Sequence, residues 1–169
     1  MGIGISYWGI RALTTIQLET EKHTAEFARS IAGWIRGGMV FGLRGDLGAG
    51  KTTFVRFLVE SLGGDVRAVA SPTYTLQHEY PVGDSITIEH WDLYRLNSLP
   101  MELEETTPRS VVRILEWPER CPEILNAVTI QLSFNLSVSD ASIEHRFVEI
   151  SGPAAPELVE YLSREISRT

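Results

Sequence analysis

The stretch that decides the fold is GDLGAGKTT, residues 45–53 of the 169-residue chain. Gly45, Gly50, Lys51 and Thr52 satisfy the pattern GxxxxGK[ST] in full. Glycines let the chain curl so that successive backbone N–H groups point at one centre beside a helix N-terminus, which forms a nest for anions. In this pattern the lysine reaches the β and γ oxygens of a nucleotide and the hydroxyl is placed on Mg²⁺. The stretch therefore predicts a phosphate-binding loop for a nucleotide and Mg²⁺.

The segments on either side of the loop match the context that this motif requires. MVFGLRG before it is a short apolar run bounded by glycines, typical of a buried strand. Behind Lys51 the apolar residues fall on one helical face, and a glycine pair ends the helix; these positions are Phe54, Phe57, Leu58, Leu62, Gly63 and Gly64. Upstream, LETEKHTAEFARSIAGWIRGG predicts an amphipathic helix with a start signal at Thr20.

Most of the remaining sequence predicts β-strands. TYTLQHEYPV and SITIEHWDLYR have strand composition and flank Gly83 and Asp84, a two-residue hairpin signal, so that pair is expected to be antiparallel. SVVRILEW, AVTIQLSF and EHRFVEIS predict three more strands, and a last helix begins near Pro156. We therefore predict one α/β domain over residues 1–169, a P-loop NTPase-like three-layer sandwich with a mixed parallel and antiparallel central sheet.

Composition narrows the function classes. The formal net charge of -7 argues against a protein that binds nucleic acid through a broad basic face. The single cysteine, Cys121, excludes an internal disulfide, suits a reducing compartment and predicts inert packing. No apolar run approaches the roughly 20 residues of a spanning helix. We expect a cytoplasmic protein without a membrane partner.

Two acidic residues compete for the magnesium-facing position. Glu116 follows VVRIL, the most apolar run in this half of the chain, and Asp92 ends ITIEHWD, a strand of mixed polarity. Because buried parallel strands read as continuous apolar runs, Glu116 is favoured as the Walker B-type acid, with Asp92 as a second acid. The plainer alternatives are a turn cap for Asp92 and an exposed strand end for Glu116. Which of the two acids positions the attacking water stays open.

The motifs GDLGAGKTT, SPTYTL, DLYRL and EWPER occur in this order, and with them the chain resembles the TsaE family, also called YjeE, of small bacterial ATPases. The likeness runs from about residue 13 to 150. It implies an ATP hydrolase, slow alone and stimulated by partners, that works with TsaB and TsaD to form threonylcarbamoyladenosine at position 37 of tRNA. In the family, TsaB and TsaD carry out the transfer and ATP hydrolysis supports repeated turnover. Because the net charge of the chain is negative, we expect that tRNA is bound mainly by the partners.

The resemblance also implies roles for individual residues. Lys51, Asp92 and Glu116 would serve catalysis, and Thr52 and Glu116 would face the metal. Ser71, Pro72 and Thr73 match a switch-like segment, and Trp117 matches a tryptophan beside the nucleotide. The implied nucleotide-binding residues are Gly45, Asp46, Leu47, Gly48, Ala49, Gly50, Lys51, Thr52, Thr53, Ser71, Thr73 and Trp117.

Two segments depart from the family pattern. Residues 96–113, LNSLPMELEETTPRSVVR, look shorter than the usual family segment and lack its acidic-glycine turn. Residues 1–12 have no counterpart in the family and are interpreted as an extension.

Three other classes of function share features with this sequence. A small-molecule kinase uses the same loop under an arginine-rich lid, whereas Arg95, Arg109, Arg113 and Arg120 are scattered here. A GTPase would carry an Asn-Lys-x-Asp guanine reader, which this sequence lacks. A binding module that uses ATP as a switch overlaps with the family expectation.

Overall fold

The computed structural model describes residues 14–138 and 144–167, and the predicted extension over residues 1–12 lies outside them. Seven strands in the described ranges form one sheet: β1 Thr14–Gln17, β2 Val40–Arg44, β3 Gln77–Val82, β4 Ile86–Asp92, β5 Val111–Glu116, β6 Ile130–Val138 and β7 Glu144–Ser151. The α-helices of these ranges are α1 Glu21–Ala32, α2 Lys51–Ser61, α3 Met101–Glu104 and α4 Ala155–Ile166. Short 3₁₀ helices span Val66–Ala68, Pro118–Arg120 and Pro122–Ala127.

The sheet is mixed, as the sequence predicts. Its order is β1-β7-β6-β2-β5-β4-β3. The strands around the glycine loop are parallel, since β2 pairs in parallel with both β5 and β6, and β4 pairs in parallel with β5. The outer pairs, β1 with β7, β6 with β7 and β3 with β4, are antiparallel. The carboxyl ends of β2, β4 and β5 therefore meet at one edge of the sheet.

Two apolar clusters cover the two faces of the sheet and make three layers. Alternation along the strands sends Phe41 and Ile114 into the cluster formed with α1, α2 and α4. Val40 and Leu115 enter the opposite cluster, which α3 and the 3₁₀ segments complete. Cys121 lies in this second cluster, 1% exposed, and burial raises the pKa of its thiol. The prediction of a buried, packing cysteine is confirmed.

Several boundaries differ from the sequence expectations. β3 begins at Gln77, because the residues before it form a turn in which the Leu76 N–H donates to the Pro72 carbonyl over 2.7 Å. The hairpin loop holds three residues, since Val82 pairs with Ile86. β1 was not predicted, because four residues are too short for a clear pattern. Within the part of the chain that the structure describes, no helix is long and apolar enough to cross a lipid bilayer.

Candidate nucleotide-binding site

The phosphate loop joins β2 to α2, as the motif requires. Gly45 and Gly50 have φ values of +132° and +106°, which residues with a side chain rarely adopt. A Cβ on Gly45 would also lie 2.3 Å from the Phe134 carbonyl oxygen, so this glycine allows the loop to approach β6 closely. Gly50 is the left-handed N-cap of α2, where no side chain caps the helix. The first N–H groups of α2 therefore open toward the loop, where an anion is favoured.

Lys51 is almost fully buried and folds back over the loop. Its Nζ donates to the carbonyl oxygens of Gly45 at 2.6 Å and Asp46 at 3.0 Å, and it lies 4.1 Å from the centroid of the Trp117 ring. Burial lowers the pKa of this ammonium, although the Glu116 and Asp92 carboxylates oppose the shift. The Lys51 ammonium is thus hydrogen-bonded to the backbone of the loop, at the position where the motif predicts the phosphates.

The two predicted acids end adjacent parallel strands in matching register. Asp92 on β4 pairs with Glu116 on β5, and both are buried, at 4% and 3% exposed. The Thr52 hydroxyl donates to Glu116 Oε1 over 2.8 Å. Because Thr52 gives its hydrogen to Glu116, the lone pairs of its oxygen stay available to a cation. The plain interpretation of Glu116 as an exposed strand end is therefore wrong.

Asp92 ties the switch-like segment to the sheet. The Thr73 hydroxyl donates to Asp92 Oδ2 over 2.8 Å, and the Ser71 and Thr73 hydroxyl oxygens are 2.7 Å apart. Asp92 Oδ1 accepts a hydrogen bond from the Tyr94 backbone N–H at 2.9 Å, so this residue also caps a turn. The interpretation of Asp92 as a turn cap is confirmed, and its role as a second acid stays a prediction.

The electrostatics of Glu116 depend on a residue that was not singled out from the sequence. Burial on its own would raise the pKa of Glu116, but hydrogen bonds from His90 and Thr52 and the charge of Lys51 outweigh it and hold the pKa below its usual value. His90 Nε2 lies 2.9 Å from Glu116 Oε1. The period of a strand places His90 and Asp92 on the same face of β4, but it does not pair His90 with Glu116.

Trp117 lies beside Lys51, whose Nζ is 4.1 Å from the centroid of its ring. It adopts left-handed backbone torsions, with φ of +59°, directly before the 3₁₀ helix that Pro118 begins. Its ring contacts the Tyr94 ring at 5.0 Å between centroids. The predicted tryptophan therefore lies beside Lys51.

One cleft collects most of the predicted site residues. It is lined by Leu47, Gly48, Gly50, Lys51, Thr52, Thr53, Ser71, Thr73, Asp92, Glu116 and Trp117. Gly45 and Asp46 do not line it; their carbonyl groups hold Lys51 instead. A second groove on the other side of the loop, which the sequence did not predict, is lined by Leu18, Glu21, Thr24, Gly48, Ala49, Gly50, Thr53, Phe134, Arg146 and Phe147.

A strand, a glycine loop and a helix, beside two parallel strands that end in carboxylates, define a P-loop NTPase-like α/β fold. YdiB of Bacillus subtilis has this fold in its crystal structure, with a TM-score of 0.66, 24% identity, and coverage of 94% of this chain and 99% of YdiB. Residues 18–146 match the family model described as "Threonylcarbamoyl adenosine biosynthesis protein TsaE". The chain belongs to the TsaE family.

Curated relatives support the family over most of the chain. A Streptomyces coelicolor protein is 37% identical over 133 aligned positions, and the match covers 75% of this chain and 88% of the relative. One from Bacillus subtilis is 34% identical over 149 residues, or 87% and 89% of the two chains. One from Aquifex aeolicus is 40% identical over 109 residues, or 64% and 79%. All three are named tRNA threonylcarbamoyladenosine biosynthesis protein TsaE.

Proposed function

We propose that this chain is a magnesium-dependent ATP hydrolase that supports threonylcarbamoyladenosine formation on tRNA together with TsaB and TsaD. The hydrogen bond between Thr52 and Glu116 carries the proposal, because it joins the phosphate loop to an acid on the neighbouring strand β5. We further propose that residues 1–169 form one domain, which works in the cytoplasm.

The residues present fit a magnesium ion shared with a nucleotide. Mg²⁺ prefers oxygen ligands and is usually held by one or two protein groups together with substrate phosphates. The Thr52 hydroxyl oxygen and the Glu116 carboxylate supply such oxygens at the foot of the loop. When bound, the ion would neutralise charge on the phosphate oxygens.

The protein's own groups divide the remaining work. The loop N–H groups and Lys51 bind the phosphates and compensate their charge. Asp92, fixed by Thr73 and the Tyr94 N–H, orients a water molecule. The water oxygen forms a bond to the γ-phosphorus while the bond to the β,γ-bridging oxygen breaks, giving ADP and phosphate, and Asp92 receives the proton released by the water. The groove lined by Phe134 and Phe147 borders the same loop and is where we place the nucleoside.

We expect the isolated chain to turn over slowly. In the described part of the chain, Lys51 is the cationic side chain that lines the cleft. P-loop hydrolases commonly gain several orders of magnitude when a partner supplies an arginine to the transition state. TsaB and TsaD are the partners through which we expect tRNA to be reached, since the net charge of -7 does not favour direct binding of tRNA.

The contacts of three arginines argue against the kinase alternative. Arg113 is buried, with Nε 2.8 Å from Glu89 Oε2 and its other nitrogens on the Glu102 and Glu105 carbonyls. Arg95 and Arg120 lie over the rings of Tyr74 and Tyr94. These contacts describe structural roles rather than an arginine lid over a transferred phosphoryl group.

The test is ATP hydrolysis by this protein with and without the TsaB–TsaD pair of the same organism. We expect a low basal rate, a large stimulation by the pair, and no activity of Lys51→Ala under either condition. Asp92→Asn should retain nucleotide binding and lose at least about 100-fold of the stimulated rate, the range that a positioned general base contributes. Absence of stimulation while ATP still binds would contradict the partner assignment and direct attention to phosphate acceptors.

A further inference from the structure

A fully buried histidine lies directly behind the proposed metal site. His90 is on β4 two residues before Asp92, opposite Ile114 of β5, and none of its surface is exposed. An imidazole in such a place loses the hydrogen bonds of water, which costs free energy unless partners replace them. The partners that His90 has are therefore informative about its use.

The first partner of His90 is the magnesium-facing acid. His90 Nε2 and Thr52 Oγ1 lie 2.9 Å and 2.8 Å from the same oxygen, Glu116 Oε1. An ionised carboxylate only accepts hydrogen bonds, so Nε2 must carry the proton. Two donors from two different elements thus converge on one oxygen, and Oε2 takes neither of these bonds.

The far side of the ring meets Tyr80 of β3. The Tyr80 hydroxyl donates to the Ala70 carbonyl over 3.3 Å and lies 3.5 Å from His90 Nδ1 and 3.3 Å from His78 Nδ1. Tyr80 is itself buried, and the two rings pack with their centroids 6.1 Å apart. The imidazole therefore lies between the Tyr80 ring and the Glu116 carboxylate, and these two contacts restrict its rotation.

We propose that His90 is a positioning residue of the magnesium site, which fixes the Glu116 carboxylate against Thr52 so that Oε2 and the Thr52 oxygen serve the metal. This inference rests on the proposed function, in which Glu116 faces Mg²⁺. A hydrogen-bonded group behind a metal ligand typically contributes 10- to 100-fold in metal affinity. His90 therefore increases the nucleotide affinity that depends on Mg²⁺ and does not change the affinity measured without the metal.

The test compares four variants by calorimetric titration with ATP, in excess Mg²⁺ and in EDTA. His90→Leu removes the donor, whereas His90→Gln keeps an N–H at about the position of Nε2. His23→Leu and His23→Gln are matched controls, because His23 lies on α1, is partly buried and lines neither groove beside the phosphate loop. Thermal unfolding of each variant reports the integrity of the fold.

We expect His90→Leu to lose at least about tenfold of the affinity that Mg²⁺ adds, while its affinity in EDTA stays within about twofold of the parent. His90→Gln should recover most of the loss, and both His23 variants should behave like the parent. An equal loss with and without Mg²⁺, or no recovery in His90→Gln, would overturn the inference. If the unaltered protein gains no affinity from Mg²⁺, the metal assignment of the proposed function fails first.

A second measurement needs no nucleotide and no variant that must fold. Histidine ¹⁵N–¹H spectra of the unaltered protein should show His90 with its proton on Nε2, in slow exchange with water. A proton on Nδ1 alone, with Nε2 unprotonated, would contradict the hydrogen bond to Glu116 and overturn the inference.

Discussion

The two halves of the site are built in different ways. The phosphate loop is one contiguous stretch, residues 45–53, whose shape depends on its own glycines. The acid half comes from residues 71–73, Asp92 and Glu116, which are brought together by the register of β4 and β5. The first half is therefore encoded locally and the second by tertiary pairing. We therefore expect that a substitution can disrupt either half while the other stays in place.

The largest effect is expected in the loop, from Lys51→Ala. Removing a buried ammonium that binds phosphate should lower ATP affinity at least about 100-fold, close to 3 kcal/mol, while the melting temperature changes little. Titration with ATP measures the affinity, and Lys22→Ala is the matched control, because Lys22 is exposed and pairs with the exposed Glu26 over 3.8 Å. Unchanged affinity in Lys51→Ala would refute the role of the loop.

The next comparison separates two glycines of the same loop. Gly45→Ala should destabilise the protein by roughly 3 kcal/mol or more, since the added Cβ meets the Phe134 carbonyl oxygen in addition to the strained φ. Gly48→Ala should cost only about 1 kcal/mol, because its Cβ meets nothing within 4 Å. Urea unfolding measures both. Similar losses of stability in the two variants would show that the positive φ, and not the contact with Phe134, determines the cost of the added Cβ.

The third prediction concerns the acid half. Glu116→Ala should remove most of the affinity that Mg²⁺ adds to ATP binding, about 30-fold or more, and leave binding in EDTA nearly unchanged, because the loop itself is intact. Paired titrations with and without Mg²⁺ measure the split. A variant that keeps its Mg²⁺-dependent gain would argue against Glu116 as a metal-facing residue.

The smallest effect is expected from Thr73, at the rim of the acid half. Thr73→Val loses the hydrogen bond to Asp92 Oδ2 and should slow partner-stimulated hydrolysis about tenfold, or 1.4 kcal/mol, with ATP affinity almost unaltered. Thr73→Ser keeps the hydroxyl and should retain the rate. If both variants slow equally, the methyl group and not the hydrogen bond is what matters.

The difference between the halves also explains what the sequence could predict. The strand, loop and helix around Lys51 follow from contiguous patterns, and the position of Glu116 follows from the apolar run before it. The bond from His90 to Glu116 crosses two strands and depends on their register, which no local pattern contains. The turn at residues 73–76 was predicted as strand, because TYTL has strand composition while Leu76 adopts a φ of +69° that its residue type does not suggest.

The position of β3 at the end of the sheet has a consequence for association between molecules. An edge strand offers unpaired N–H and C=O groups to any extended chain that approaches it. β3 carries an exposed Pro81, which has no N–H to offer, and an exposed charge at Glu79. An incoming strand therefore meets an interrupted row of donors and a carboxylate that it would have to desolvate. The edge nearest the acid half is thereby protected against edge-to-edge aggregation.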